Sequence, residues 1–337
     1  MKINNKIITW LNISMIVLLL MIIIGGTTRL TDSGLSMVSW KPITGIFPPI
    51  GLEEWQNSFN DYKSFPEYKI INYNISLSEY KSIYYWEYLH RLLGRIIGLL
   101  FLIPFLYFLY KGFLNKQLIK KLLIVFFMGG FQGFLGWYMV KSGLVDIPHV
   151  SHYRLAIHLS LAFFILSYIY KLKLSLLVTK LSKDYNYKYY DRLISIIIGM
   201  LFIQIVYGAF NAGLKTVNTI NTFPFYNGSI LPVSNISLDS FWLFFFENHY
   251  GVQIIHRFLG LMIMGLIMFF SYKSNMSNSR IKLESQYLIV LILFQCMVGI
   301  LTLISDASFV FALLHQFLAI LTILFTIKIK HKLRYEK

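Results

Sequence analysis

The chain has a single cysteine, Cys296, so no disulfide framework can form within it, and this residue sits inside an apolar run where a small buried hydrophobe is the simplest reading. Acidic residues are scarce, 15 against 31 basic, giving a formal net charge of +16. Charged residues of all kinds make up only 14% of the 337 positions, while 56% are apolar, far more than the core of a soluble protein needs. Such a charge could serve a nucleic acid if the basic residues formed one face, but they fall at alternate ends of apolar runs. Lys2 and Lys6, Lys111 to Lys121, Lys171 to Arg192, Lys273 to Lys282 and Lys328 to Lys337 hold about 20 of the 31, the distribution of the positive-inside rule. No nucleic-acid partner is implied; the partner is a lipid bilayer.

Eight runs are long enough to cross a hydrocarbon layer roughly 30 Å thick. They cover Ile7 to Gly26, Glu87 to Tyr110, Leu118 to Val140, His152 to Leu172, Leu193 to Gly213, Gly251 to Tyr272, Ser285 to Ile304 and Ser308 to Ile327. The expected fold is all-α, a polytopic membrane protein of eight transmembrane helices in the cell inner (cytoplasmic) membrane. Both termini are then cytoplasmic, and the long loops from Thr27 to Trp86 and Leu214 to Tyr250 face outward. The first run follows Lys2 and Lys6 but has no small-x-small cleavage pattern before Gly25-Gly26, so it reads as a retained anchor.

The chain repeats itself. His90-Arg91-Leu92-Leu93-Gly94 in the second span matches His256-Arg257-Phe258-Leu259-Gly260 in the sixth at four of five positions. Ile24-Gly25-Gly26 matches Tyr207-Gly208-Ala209, and the fourth and eighth spans each carry a histidine, His158 and His315. Four crossings return the chain to its starting side, so the repeat predicts two parallel four-helix halves, residues 1–185 and 186–337. The cluster Gly129, Gly130, Gly133 and Gly136 in the third span suits close helix packing in lipid.

His90, His158, His256 and His315 all fall a few residues inside the outer ends of the even spans, two in each half. One membrane histidine usually makes an interhelical hydrogen bond, but two on facing helices can ligate haem iron from opposite sides. The recurrence favours haem over that simpler role, and over zinc, since no cysteine or carboxylate completes a tetrahedral site in the second half. Arg91 and Arg257 follow the histidines directly; pairing with haem propionates and snorkelling to the headgroups fit the spacing equally. His149, His152 and His249 lie at or beyond the membrane edge, and His331 lies in the cytoplasmic tail.

One position breaks the symmetry. Glu87 lies three residues before His90, and Gln253 three before His256, each pair on one helix face. Only the first half can move protons there, which makes Glu87 the leading catalytic candidate. The competing reading is an interfacial residue at a helix start, beside Tyr85 and Trp86.

These residues resemble the haem A synthase family of the mitochondrial and alphaproteobacterial type. The resemblance runs through Gly25-Gly26-Thr27-Thr28-Arg29-Leu30-Thr31, Ser33-Gly34-Leu35-Ser36-Met37, Trp40, Lys41-Pro42-Ile43-Thr44-Gly45 and Pro48-Pro49. It continues in Tyr62-Lys63, Pro66-Glu67-Tyr68, Trp86-Glu87-Tyr88-Leu89-His90-Arg91-Leu92-Leu93-Gly94-Arg95 and Arg154-Leu155-Ala156-Ile157-His158-Leu159. In the second half it covers Glu247-Asn248-His249 and Gln253-Ile254-Ile255-His256-Arg257.

The resemblance implies that a methyl group of haem O is oxidised to the formyl group of haem A for terminal oxidase assembly, with electrons passed to an unidentified acceptor. It implies Glu87, His90 and His158 at the substrate haem in the first half, His90 and His158 on its iron. Haem b would lie between His256 and His315 in the second half. Haem O synthase and cytochrome oxidase assembly proteins are the implied protein partners. Two departures stand out: the first outer loop lacks the cysteine pair of some bacterial relatives, and His149 and His152 are not required by the pattern. Two rival functions remain, a bis-histidine di-haem electron carrier and a haem transporter or chaperone. The first expects a haem near each face, and the second gives Glu87 no necessary role.

Overall fold

The computed structural model describes residues 2–38, 44–143, 150–177, 180–181, 187–230, 241–277 and 280–336. Trp40, Lys41, Pro42 and Ile43 of the first outer loop, and His149, lie outside the described residues. The chain divides into two compact units, Met1–Arg154 and Leu155–Lys337.

The first unit holds α1 (Lys2–Leu30), two short outer helices α2 (Gly51–Lys63) and α3 (Pro66–Ile70), then α4 (Leu77–Tyr110) and α5 (Lys116–Gly143). The second holds α6 (His152–Leu177, counted with it from Leu155 onward), α7 (Tyr187–Leu214), the short α8 (Phe241–Glu247), α9 (His249–Met276), α10 (Lys282–Ile304) and α11 (Phe309–Arg334). Eight of these helices, α1, α4, α5, α6, α7, α9, α10 and α11, are long and apolar enough to cross a membrane. The protein is all-helical and multi-pass; among the described residues the only ladder is a two-residue antiparallel pairing of Lys180–Leu181 with Tyr335–Glu336.

Outward-facing positions of the spans remain apolar: Ile16, Ile103, Phe127, Leu261 and Val290 are all exposed. Facing water, such surfaces would aggregate; hydrocarbon is their matching solvent, and helices satisfy their own backbone groups there. Inside the first unit, Trp10 donates through Nε1 to the Leu100 carbonyl at 3.0 Å and packs on Phe101 and Phe108, fastening α1 to α4. In the second unit α7 packs on α9 and α11, and α10 packs on the same two. The four close a ring in which α9 and α11 stand across from one another.

One boundary differs from the sequence expectation. The helix carrying Glu87 and His90 starts at Leu77, ahead of the apolar run. Its start is fixed by a capping box in which the Ser76 side chain accepts from the Glu79 N–H and the Glu79 carboxylate accepts from the Ser76 N–H. One face of its outer turns is buried. Tyr80 and Tyr84 pack against Trp55, Phe59 and Tyr62 of α2 in a buried aromatic cluster. Behind it, Tyr62 donates to the buried Glu67 carboxylate at 3.0 Å and accepts from Asn72 at 2.7 Å. Burial, and then the Glu67 charge, push the Tyr62 phenol well above the usual tyrosine range. The Tyr62-Lys63 and Pro66-Glu67-Tyr68 strings thus build the platform on which the outer end of α4 rests.

Candidate functional site

Glu87 sits in the interior of α4, not at a helix start, and only 3% of it is exposed. Glu87 is therefore not a helix-start residue. The chain after α1 turns back over α4 and brings Ser36 and Met37 onto the carboxylate: Oε2 accepts from Ser36 Oγ at 2.7 Å and from the Met37 N–H at 2.8 Å. Oε1 pairs with Arg91 Nη2 at 2.5 Å, one turn along the helix, and the same nitrogen donates to the Met37 carbonyl at 2.9 Å. Among the described residues, the hydroxyl, main-chain N–H and guanidinium that reach this carboxylate are all donors.

The second unit builds the matching position with the opposite polarity. Gln253 is equally buried, and its Nε2 donates to the Ile220 carbonyl at 2.8 Å and toward Thr216 Oγ1 at 3.3 Å. Its Oε1 accepts from Arg257 Nη2 at 2.5 Å, which also donates to the Thr222 carbonyl at 2.9 Å. The Arg257 guanidinium lies over the Tyr226 ring, 4.2 Å from its centroid. Both arginines of the repeated motif are thus engaged with their own outer loops.

The histidines are half-buried. His90 on α4 lies against Gly25 of α1, where an added Cβ would come within 3.0 Å of its Cε1. His256 on α9 lies against Gly208 of α7 at 3.4 Å, and His315 on α11 lies against Gly299 of α10 at 2.7 Å, by the same measure. Gln204 of α7 donates to the His256 carbonyl at 3.0 Å and approaches its Nε2 at 3.4 Å; Gln295 of α10 donates to the His315 carbonyl at 3.2 Å and approaches its Nδ1 at 3.2 Å. His256 and His315 lie on helices that stand across the ring from each other. His158 lies on α6, which packs through Ala156 against Ala209, Phe210 and Val252 of the second unit.

Do these residues suit haem? Nδ1 of His90 and of His256 is buried and has no hydrogen-bond partner among the described residues. Such an atom is costly unless a ligand completes its surroundings. No three of His, Cys, Asp and Glu converge among the described residues. Paired histidines suit a metal that brings its own equatorial ligands, as porphyrin iron does. The glycines leave each ring the space a Cβ would otherwise take. The residues fit the group.

The sequence reading missed Ser36, Met37, Gln204, Gln295 and Gly299 as parts of these sites. A backbone N–H such as that of Met37 has no sequence signature. The glutamines do have one: Gln204 and Gly208, like Gln295 and Gly299, are four residues apart and so share a helix face.

Residues 8–327 match the COX15-CtaA family, described as cytochrome oxidase assembly protein. A protein named "Heme A synthase" from Wolbachia pipientis wMel is 42% identical over 312 residues, covering 91% of this chain and 87% of its own length. Proteins of the same name from Flavobacterium psychrophilum and Nitrosospira multiformis are 38% and 39% identical, each covering at least 98% of this chain and 95% of its own length. The chain belongs to the COX15-CtaA family of cytochrome oxidase assembly proteins.

Proposed function

We propose that the chain is a haem A synthase, a membrane oxidoreductase that converts a methyl group of haem O to the formyl group of haem A for terminal oxidase assembly. The observation that carries this reading is the pairing of Glu87 with His90 on one face of α4, where the second unit has Gln253 and His256. The likeness to relatives named heme A synthase along nearly the whole chain supports it.

In this reading residues 1–185 form the substrate half and residues 186–337 the haem b half. His90, in the first unit, would offer its imidazole to the iron of haem O, and His256 and His315, both in the second, would hold haem b. Haem b, when bound, supplies one-electron transfer toward an acceptor outside the protein. Glu87 takes and returns protons as the methyl group is oxidised, with the Ser36 hydroxyl, 2.7 Å from its Oε2, as the adjoining group. Arg91 and Arg257 attract the haem propionates while tethering the outer loops. The basic residues put both termini in the cytoplasm and the haem sites toward the outer face of the cell inner membrane. Haem O synthase and oxidase assembly proteins are the expected neighbours.

The test is chromatography of haems extracted from cells and from the purified protein. Wild type should yield haem b together with haem O or A, and Glu87→Gln should keep haem b and stop haem A formation. Normal haem A from Glu87→Gln would overturn the role of Glu87, and a purified wild type without any haem would overturn the function.

A further inference from the structure

The short helices of the two outer loops differ in kind. α2 turns Trp55, Phe59 and Tyr62 inward and presents Glu53, Glu54, Gln56, Asn57 and Asp61 outward, the surface of a helix that faces water. α8 has no such face. Phe244 is buried, yet Phe241, Trp242, Leu243 and Phe246 are 39% to 75% exposed, and the only charge is Glu247 at the last position.

The depth of α8 follows from its contacts. Phe246 packs its ring on Tyr207 and Phe210 of α7, with centroids 6.4 and 6.5 Å away. The apolar run of α7 ends at Gly213, so these partners lie six and three residues inside it, roughly 5 to 9 Å along the axis. On its other side, α8 sets the Phe244 carbonyl against Gly251, where a Cβ would stand 2.0 Å from the oxygen. α8 is thus wedged against the ends of two spans. Ile196, Ile203, Tyr207 and Phe210 recur at helical spacing on one face of α7. Ile196 and Ile203 are each 49% exposed, as lipid-facing positions are, and Phe246 continues that stripe.

We propose that α8 is an interfacial helix whose Phe241, Trp242 and Leu243 insert into the leaflet next to the Gly213 end of α7, at the boundary between headgroups and acyl chains. Four exposed large apolar side chains in seven residues are a poor match for water. Phenylalanine and leucine suit the acyl side of that boundary, and the indole of Trp242 adds an N–H for the headgroups. A lipid-held α8 keeps Phe244 against Gly251, two residues before Gln253 on α9.

The test uses the full-length protein in nanodiscs of phosphatidylcholine and phosphatidylglycerol, with Cys296→Ala leaving one labelling site at a time. Spin labels are placed at Trp242→Cys, at Asn57→Cys on the water-facing side of α2 and at Leu261→Cys on the exposed apolar side of α9. Each is compared for collision with oxygen, which concentrates in hydrocarbon, and with a water-soluble nickel chelate. The label at position 242 should follow the one at 261, with strong oxygen broadening and loss of most of the nickel relaxation seen at 57. Nickel relaxation equal to that at 57 would overturn the proposal, since α8 would then face water. Weak collision with both reagents would overturn it too, because a second copy or another protein would then cover α8. Should Trp242→Cys fail to accumulate, Trp242→Phe decides. Lipid brominated on acyl carbons near the headgroup should quench the tryptophan fluorescence of the wild type, and Trp242→Phe should lose part of that quenching. Identical fractional quenching in the two would overturn the proposal.

Discussion

Glu87 accepts the main-chain N–H of Met37 at 2.8 Å, and Gln253, at the corresponding place in the second unit, donates to the main-chain carbonyl of Ile220, also at 2.8 Å. The two outer loops therefore meet their helices with opposite polarity. A carboxylate opposite Ile220 would set acceptor against acceptor, and an amide nitrogen opposite Met37 would set donor against donor. The contrast between acid and amide is built into the loops as well as into the two side chains.

Glu87→Gln should consequently do two things. It should abolish haem A formation, and it should loosen the loop at residues 33–38, because Arg91 loses its buried charge partner. Breaking a buried pair from one side costs about 3–5 kcal/mol. Hydrogen exchange should show faster labelling at Ser36 and Met37 while the haem b spectrum is retained. Ser36→Ala removes one donor and should cost about 1 kcal/mol, so a large loss of activity with an intact loop would mark the hydroxyl as part of the proton route. Wild-type labelling of the loop in Glu87→Gln would contradict this account of the network.

The spans were legible because hydropathy reports transfer into lipid directly, and the candidate histidines stood out because the sequence around His90 aligns with that around His256. The start of α4 was hidden for a physical reason. Leu77 to Trp86 is not apolar enough to read as membrane, and its helix depends on Tyr80 and Tyr84 burying themselves against α2, a contact distant in sequence. The capping signature Ser76-Leu77-Ser78-Glu79 was nevertheless present and marks the boundary. The partners of Glu87 were invisible, since Met37 acts through its backbone and any residue could supply that N–H.

Ser76→Ala tests the boundary itself. The box is exposed and lies more than three helical turns before His90 on α4, so losing the cap should cost about 1 kcal/mol. The thermal midpoint of the solubilised protein should fall by a few degrees with haem content unchanged. A fall in haem b content would mean that the outer end of α4 is coupled to the second unit in a way its cap does not suggest.

Gly251, in the first turn of α9, tests the packing of the second outer loop. A Cβ there would lie 2.0 Å from the Phe244 carbonyl oxygen, backbone that cannot swing aside. Gly251→Ala should therefore displace α8 and withdraw Phe244 from its buried position, at about 3 kcal/mol or more of overpacking strain. Poor recovery in detergent and fast proteolysis near residues 241–247 are expected. Wild-type recovery would show that α8 does not need this close approach.

The three glycines facing the histidines give a graded series, because the clearance of a methyl group differs among them. An added Cβ would stand 2.7 Å from His315 Cε1 at Gly299, 3.0 Å from His90 Cε1 at Gly25 and 3.4 Å from His256 Cε1 at Gly208. The first two lie inside van der Waals contact and must move the ring, while the third is at the edge of ordinary contact. Gly299→Ala should therefore strip most of the b-type absorption by displacing a ligand. Gly208→Ala should keep most of it. Gly25→Ala should spare haem b and reduce haem A formation, because the ring it displaces belongs to the substrate half. The measurements are the reduced-minus-oxidised spectrum of the purified variants and the haem A to haem O ratio of the cells. Loss of haem b in Gly25→Ala, or its full retention in Gly299→Ala, would show that ring clearance does not control the two sites separately.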